Sequence, residues 1–190
     1  MNDSPTLLNV LAFAGSLRKG SYNKSLIRAA KELSPGHLGL EIFDIADIPL
    51  YNADVESNGD PGPVSAFKEA IGSADGLLIA TPEYNHGTSG VTKNAIDWAS
   101  RPPQDSPLNK KPVGIMGASP GATGSARGQS QLRQAFGFTN SYCMPQPEIL
   151  VYRAAGKFDD EGKLTDDKTR DFLEKYLESF YDWIKLFRGE

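Results

Sequence analysis

The segment LLNVLAFAGSLRKGSYNKSLIRAAKEL, residues 7–33, decides how the fold is read. Leu7–Ala14 is almost continuously apolar and has the length of a strand buried on both faces. Asn23–Leu33 places Leu26, Ile27, Ala30 and Leu33 on one side of a helix. Between them lies a polar turn holding Gly15 and Gly20. The same alternation continues outward. Further strands are predicted at Leu38–Ile45, Gly76–Thr81 and Pro112–Gly117, with a less regular fifth at Glu148–Tyr152. Helices are predicted at Pro63–Ser73, on the spacing of Val64, Phe67, Ala70 and Ile71, at Ser89–Ser100 and at Ala126–Phe136. A long last helix, Asp166–Phe187, carries the stripe Phe172, Leu173, Tyr176, Leu177, Phe180, Ile184 and Phe187. Asn52–Pro63, rich in Gly, Pro, Asp and Asn, reads as a surface loop.

Strands that alternate with helices pair in parallel through right-handed crossovers, with helices on both faces. Five of each predict an α/β fold, a doubly wound five-stranded parallel sheet in the flavodoxin-like order 2-1-3-4-5. No internal repeat or linker divides the chain, so residues 1–190 are expected to form one domain. A net charge of −4 without a basic run gives no reason to expect nucleic acid. The apolar runs fall well short of the roughly 20 residues that cross a bilayer. Met1-Asn2-Asp3-Ser4-Pro5 lacks a basic-then-apolar signal, and the single cysteine, Cys143, cannot pair within the chain. A cytoplasmic protein is the expectation.

In such sheets ligands bind beyond the carboxyl ends of the strands, near the switch point. Three loops deserve weighing there. After the first strand, Gly15–Asn23 offers short hydroxyl and amide side chains, Arg18, and the N–H groups of a helix start, which together outline a phosphate cradle. Ser21 stands where a Walker A loop needs lysine, and Leu17 where the dinucleotide fingerprint needs glycine. A terminal monophosphate remains the natural guest, against the plainer reading of a capped helix behind a solvated turn. After the third strand, Thr81–Gly87 contains Pro82, Glu83, Tyr84 and Asn85, a set suited to the edge and face of a flat heterocycle or, more plainly, to a polar turn. After the fourth, Gly117–Arg127 holds three glycines in eight residues, with Ser119 and Gly121 in a G-x-S-x-G pattern. A hydrolase elbow needs its histidine after the serine, whereas His37 and His86 both precede Ser119. No metal-ligand cluster is evident.

Taken together, Gly15-Ser16-Leu17-Arg18 with Ser21 and Asn23, Thr81-Pro82-Glu83-Tyr84-Asn85, and Lys93-Asn94-Ala95-Ile96-Asp97-Trp98 closely resemble the NADPH-dependent FMN reductase family, which includes chromate and quinone reductases. The resemblance runs over nearly the whole chain. It implies non-covalent FMN, with Ser16, Arg18, Ser21 and Asn23 at the phosphate. Pro82, Glu83, Tyr84 and Asn85 would line the isoalloxazine, and Ser119 with Gly121 its other edge. It further implies a homodimer or homotetramer, with Arg127 and Glu148 near subunit contacts and Trp98, Arg101 and Gly87–Gly90 as added contact points. NADPH or NADH would reduce the flavin, which would then reduce small-molecule acceptors such as quinones, flavins, azo compounds or oxidised metal ions such as chromate. The flavin carries that chemistry, so no side chain is assigned a catalytic step. His86 reads as a solvated loop residue rather than an acid or base. A non-enzymatic FMN electron carrier is the alternative; Arg18, Lys19 and Lys24 beside the phosphate loop favour the enzyme. Relatives often read Ser-Ile-Pro-Gly-Val-Leu-Lys where this chain has Gly87-Thr88-Ser89-Gly90-Val91-Thr92-Lys93, a departure expected to make the rim of the site more polar.

Overall fold

A computed structural model describes residues 5–188. Strand β1 (Leu8–Ala14) leads into α1 (Tyr22–Glu32) and β2 (Leu38–Ile42). A short α2 (Ala53–Glu56) and α3 (Gly62–Ser73) precede β3 (Gly76–Ala80). A two-strand hairpin, β4 (Glu83–Tyr84) and β5 (Gly87–Thr88), comes before α4 (Gly90–Ala99). Then follow β6 (Pro112–Ala118), α5 (Ala126–Phe138), β7 (Tyr142–Cys143), β8 (Ile149–Val151) and α6 (Asp167–Arg188).

The main sheet is parallel throughout, in the order β2-β1-β3-β6, and its far edge is built from two pieces, β7 and β8, both paired with β6. Counting that edge as one interrupted strand gives the expected order 2-1-3-4-5. The interruption has a chemical cause. Met144-Pro145-Gln146-Pro147-Glu148 separates the pieces, and two prolines without N–H groups cannot extend a ladder. The same residues explain why the fifth strand is the least regular in the sequence pattern.

Side-chain alternation along β1 divides the core in two. Leu8, Val10, Ala12 and Ala14 pack with α1 and α6, whereas Leu11 and Phe13 face Phe67 and Ile71 of α3 and Ala95, Ile96 and Ala99 of α4. A period of two delivers alternate residues to opposite faces, so one apolar run serves both layers. Each large side chain fully buried this way contributes roughly 1.5–3 kcal/mol. On α6 the buried face runs through Thr169, Leu173, Tyr176, Leu177, Phe180, Tyr181 and Ile184. Phe172 and Phe187, at the margins of the expected stripe, are instead exposed. The Asn52–Pro63 stretch is not loop throughout: Asn52 caps α2 by accepting the Asp54 N–H at 2.9 Å. Among the described residues no helix is long and apolar enough to cross a membrane.

Candidate functional site

The loops after β1, β3 and β6 meet at one end of the sheet and enclose a shallow cleft of about 50 Å3. Eight of the ten residues expected there line it: Ser16, Arg18, Ser21, Asn23, Pro82, Glu83, Tyr84 and Ser119. Asn85 and Gly121 lie outside its wall. Tyr22, Ala118 and Pro120 line it as well and were not singled out in the sequence. Each is chain neighbour to a chosen residue, which is the signal that would have found them. A larger hollow of about 650 Å3 lies between α3 and the β1–β2 face, but its charged walls are Glu41 and Glu69, which repel an anion. Charge, rather than size, marks the smaller cleft.

On the β1 side, Ser21 is the N-cap of α1, with its Oγ accepting the N–H groups of Asn23 and Lys24 at 3.2 and 3.4 Å. Its hydroxyl proton remains to be given outward. The backbone N–H groups of Ser16, Leu17 and Arg18 have no hydrogen-bond partner among the described residues, and neither does the Arg18 side chain. Free N–H groups, a helix N-terminus and an unpaired guanidinium make a cradle for an oxyanion. Asn23 differs from this expectation. Its amide donates to the Ala118 carbonyl at 3.0 Å and accepts the Ala118 N–H at 2.9 Å, bolting α1 to the end of β6. One amide N–H is what it has left for a ligand.

On the β3 side, Asn85 and His86 both have positive φ, 52° and 63°, and form the two-residue turn of the β4–β5 hairpin. That pair of left-handed residues defines the tight turn matching strand twist. His86 is exposed at its tip, without an ion-pair or hydrogen-bond partner among the described residues. The hairpin lies along α5: the Thr88 N–H donates to Gln131 Oε1 at 2.7 Å. The Glu83 carboxylate is turned the same way. It accepts the Arg127 N–H at 2.9 Å and the Gly128 N–H at 3.4 Å, with the Arg127 guanidinium at 3.4 Å. Ser125, in the N-cap position of α5, makes no side-chain cap, so Glu83 does that work from 44 residues away. Tyr84 is half exposed beside the cleft.

Ser89 and Thr92, read from the sequence as a more polar rim, are buried. Thr81 Oγ1 lies 2.7 Å from Thr88 Oγ1 and 3.2 Å from Thr92 Oγ1. Ser89 Oγ lies 2.7 Å from Thr92 Oγ1 and donates to the Gly15 carbonyl at 2.6 Å. The changed residues form a hydroxyl chain beneath the site that ties the ends of β1 and β3 to α4. Gly15 belongs to it sterically, because a Cβ there would stand 1.8 Å from Thr92 Oγ1. On the β6 side, Ser119 is held by Val151 and Ala154 main-chain bonds of 2.9 and 3.0 Å, and the Gly121 N–H donates to Ser119 Oγ at 3.1 Å. Glu148 lies away from the cleft, 3.5 Å from Arg133. Trp98 corrects an expectation. It is fully buried, donating its indole N–H to the Pro49 carbonyl at 2.8 Å, and so has no surface for a subunit contact.

The family model for NADPH-dependent FMN reductase matches residues 8–156, a span that contains all three loops. The chain belongs to the NADPH-dependent FMN reductase family. It is therefore an FMN-dependent oxidoreductase with NAD(P)H as electron donor. An NAD(P)H-dependent FMN reductase of Pseudomonas aeruginosa is 46% identical over 182 residues, covering 96% of this chain and 98% of the relative. A quinone reductase of Pseudomonas putida is 44% identical, covering 95% and 97%. Among solved structures, the flavoenzyme NAD(P)H:acceptor oxidoreductase FerB of Paracoccus denitrificans superposes with a TM-score of 0.86 at 36% identity, covering 94% of this chain and 98% of that one.

Proposed function

We propose that this family member seats FMN in the three-loop cleft and passes electrons from NAD(P)H to quinones and free flavins. The observation carrying this reading is the set of unpartnered donors at Ser16–Arg18, beside the capped start of α1. It fits a terminal phosphate. The Ser21 hydroxyl, the Arg18 guanidinium and those N–H groups would hold the phosphate, with the remaining Asn23 N–H as a further donor. Pro82, Tyr84 and the main chain of Glu83 would support one side of the ring system and Ser119 the other, with Asn85 and Gly121, outside the cleft wall, reaching the ring only beyond its rim. FMN held there would supply two-electron chemistry between NAD(P)H and an acceptor. The protein's share is orientation. The Glu83 carboxylate keeps the hairpin against α5, and Asn23 keeps α1 against β6, so that phosphate and ring supports stay in register.

Quinones come first among acceptors because several close relatives carry that name, including a 2-hydroxy-1,4-benzoquinone reductase of a Burkholderia species at 39% identity. Azo compounds and oxidised metal ions such as chromate are proposed as secondary acceptors, in a cytoplasmic homodimer or homotetramer. Titration of the purified protein should give a yellow complex with one FMN per chain, with FAD bound more weakly. NADPH or NADH should bleach it anaerobically, and a quinone should restore the colour. A protein that takes up no FMN overturns the reading.

A further inference from the structure

Four hydroxyls run beneath the cleft from the hairpin to the turn after β1: Thr88 on β5, Thr81 just past β3, and Thr92 and Ser89 at the start of α4. Thr81, Ser89 and Thr92 are buried and Thr88 is half-buried. The direction of their protons follows from the far end. The Gly15 carbonyl can only accept, so the Ser89 hydroxyl gives its single proton there, at 2.6 Å. In the 2.7 Å contact between Ser89 and Thr92 the donor is then Thr92. Thr92 has no second proton, so at 3.2 Å Thr81 donates to it, and at 2.7 Å Thr88 donates to Thr81. The Pro82 carbonyl, also 3.2 Å from Thr81 Oγ1, shares the Thr81 proton. Every hydroxyl donates once, and all the bonds run one way, from Thr88 through Thr81, Thr92 and Ser89 to the Gly15 carbonyl.

That last acceptor matters because the Gly15 carbonyl and the Ser16 N–H belong to one peptide plane. In a trans peptide the two groups point opposite ways. Gly15 is fixed on both sides: its N–H donates to the Ala80 carbonyl at 2.8 Å, and its carbonyl is taken by Ser89. With the carbonyl held toward α4, the Ser16 N–H is turned the other way. It has no partner among the described residues, and Ser16 lines the cleft. Hydrogen bonds in series polarise one another. A carbonyl at the receiving end of this chain therefore leaves the N–H of its own amide a stronger donor.

We propose that Ser89 and Thr92 are positioning residues for the flavin phosphate: acting through the Gly15 carbonyl, they aim and strengthen the Ser16 N–H that receives it. This rests on the reading that FMN sits in the cleft with its phosphate at Ser16–Arg18. Neither side chain touches the ligand. Their effect is confined to the phosphate end, so it separates a flavin that carries a phosphate from one that does not.

Fluorescence titration of the flavin-free protein with FMN and with riboflavin tests it without turnover. Ser89→Ala should weaken FMN about 3- to 10-fold, the scale of one ordinary hydrogen bond, and leave riboflavin nearly unchanged. Ser89→Thr keeps a hydroxyl and a capping oxygen and should restore the preference for FMN. Thr92→Val keeps the Ser89 cap and the bond from Ser89 to Gly15, and removes only the donor that feeds them. It should show a smaller loss in the same sense, about 2- to 3-fold, and it decides the matter if Ser89→Ala fails to fold. In the isotope-labelled, FMN-loaded protein, the Ser16 amide proton should move upfield in both Ser89→Ala and Thr92→Val. An unchanged ratio of FMN to riboflavin affinity in the folded variants, or an unmoved Ser16 amide, overturns the proposal and leaves Ser89 a helix cap and Thr92 a packing residue. A parent protein that takes up no FMN, or binds it no better than riboflavin, would instead overturn the functional reading beneath it.

Discussion

Arg18 and Glu83 both line the cleft, yet they do opposite things. Arg18 is exposed and unpaired among the described residues, which leaves its planar donor fork for an incoming anion. A hydrogen bond to a charged group contributes roughly 1.5–3 kcal/mol, so Arg18→Ala should weaken FMN binding about 10- to 150-fold. Riboflavin, without the phosphate, should be nearly indifferent. Fluorescence titration with both flavins separates the cases, and equal losses would make Arg18 a packing residue. Glu83 points its carboxylate into the protein, onto the first N–H groups of α5. Its loss is the loss of a helix cap, and Glu83→Ala should cost about 1 kcal/mol in the flavin-free protein. Glu83→Gln keeps an acceptor and should recover much of that. Thermal unfolding of the apo forms reads the difference; an unchanged midpoint in the alanine variant would show the cap to be idle.

Helix ends set the next level. Where α1 is capped by its own Ser21 and α4 by its own Ser89, α5 borrows its cap from the hairpin, so α5 and the β4–β5 hairpin are one mechanical piece. The last helix is capped by Asp166, which accepts hydrogen bonds from the Thr169 N–H at 3.0 Å and from the Thr169 hydroxyl, with Lys157 at 3.4 Å. The Thr169 side-chain bond, reinforced by its N–H and by Lys157, holds the Asp166 carboxyl below its ordinary value despite some desolvation. A depressed folded-state pKa means that the unfolded chain binds the proton first. The cap therefore stabilises fully above the ordinary carboxylate range and is lost as pH falls through the lower folded value. Asp166→Ala should cost about 1 kcal/mol near neutrality. The gap between the two proteins should close as urea melts are repeated down to acid pH. A gap that stayed constant would mean the charge plays no part.

At the scale of the molecule, the sheet carries the site at the carboxyl end of its central strands and leaves its assembly to the surface. A symmetric dimer, or a pair of dimers, is the expected state, these being common closed arrangements. Light scattering should return a multiple of the 20.6 kDa chain mass. A fully active monomer would refute it. The contact must avoid Trp98, which the fold has placed in the core. That residue shows where reading by pattern stops. Strand and helix order, the two-faced alternation of β1, and the three glycine-bearing loops are local properties, written in runs of fewer than a dozen residues, and the sequence alone determined them. What a polar side chain touches is another matter. Asn23 meets Ala118 across 95 positions, Glu83 meets Arg127 across 44, and Ser89 meets Gly15 across 74. Each could equally have faced a ligand as far as its neighbours in the chain reveal. Only the tertiary structure decided, because a buried donor or acceptor must be paired and its partner arrives from a distant element through the packing of the whole sheet.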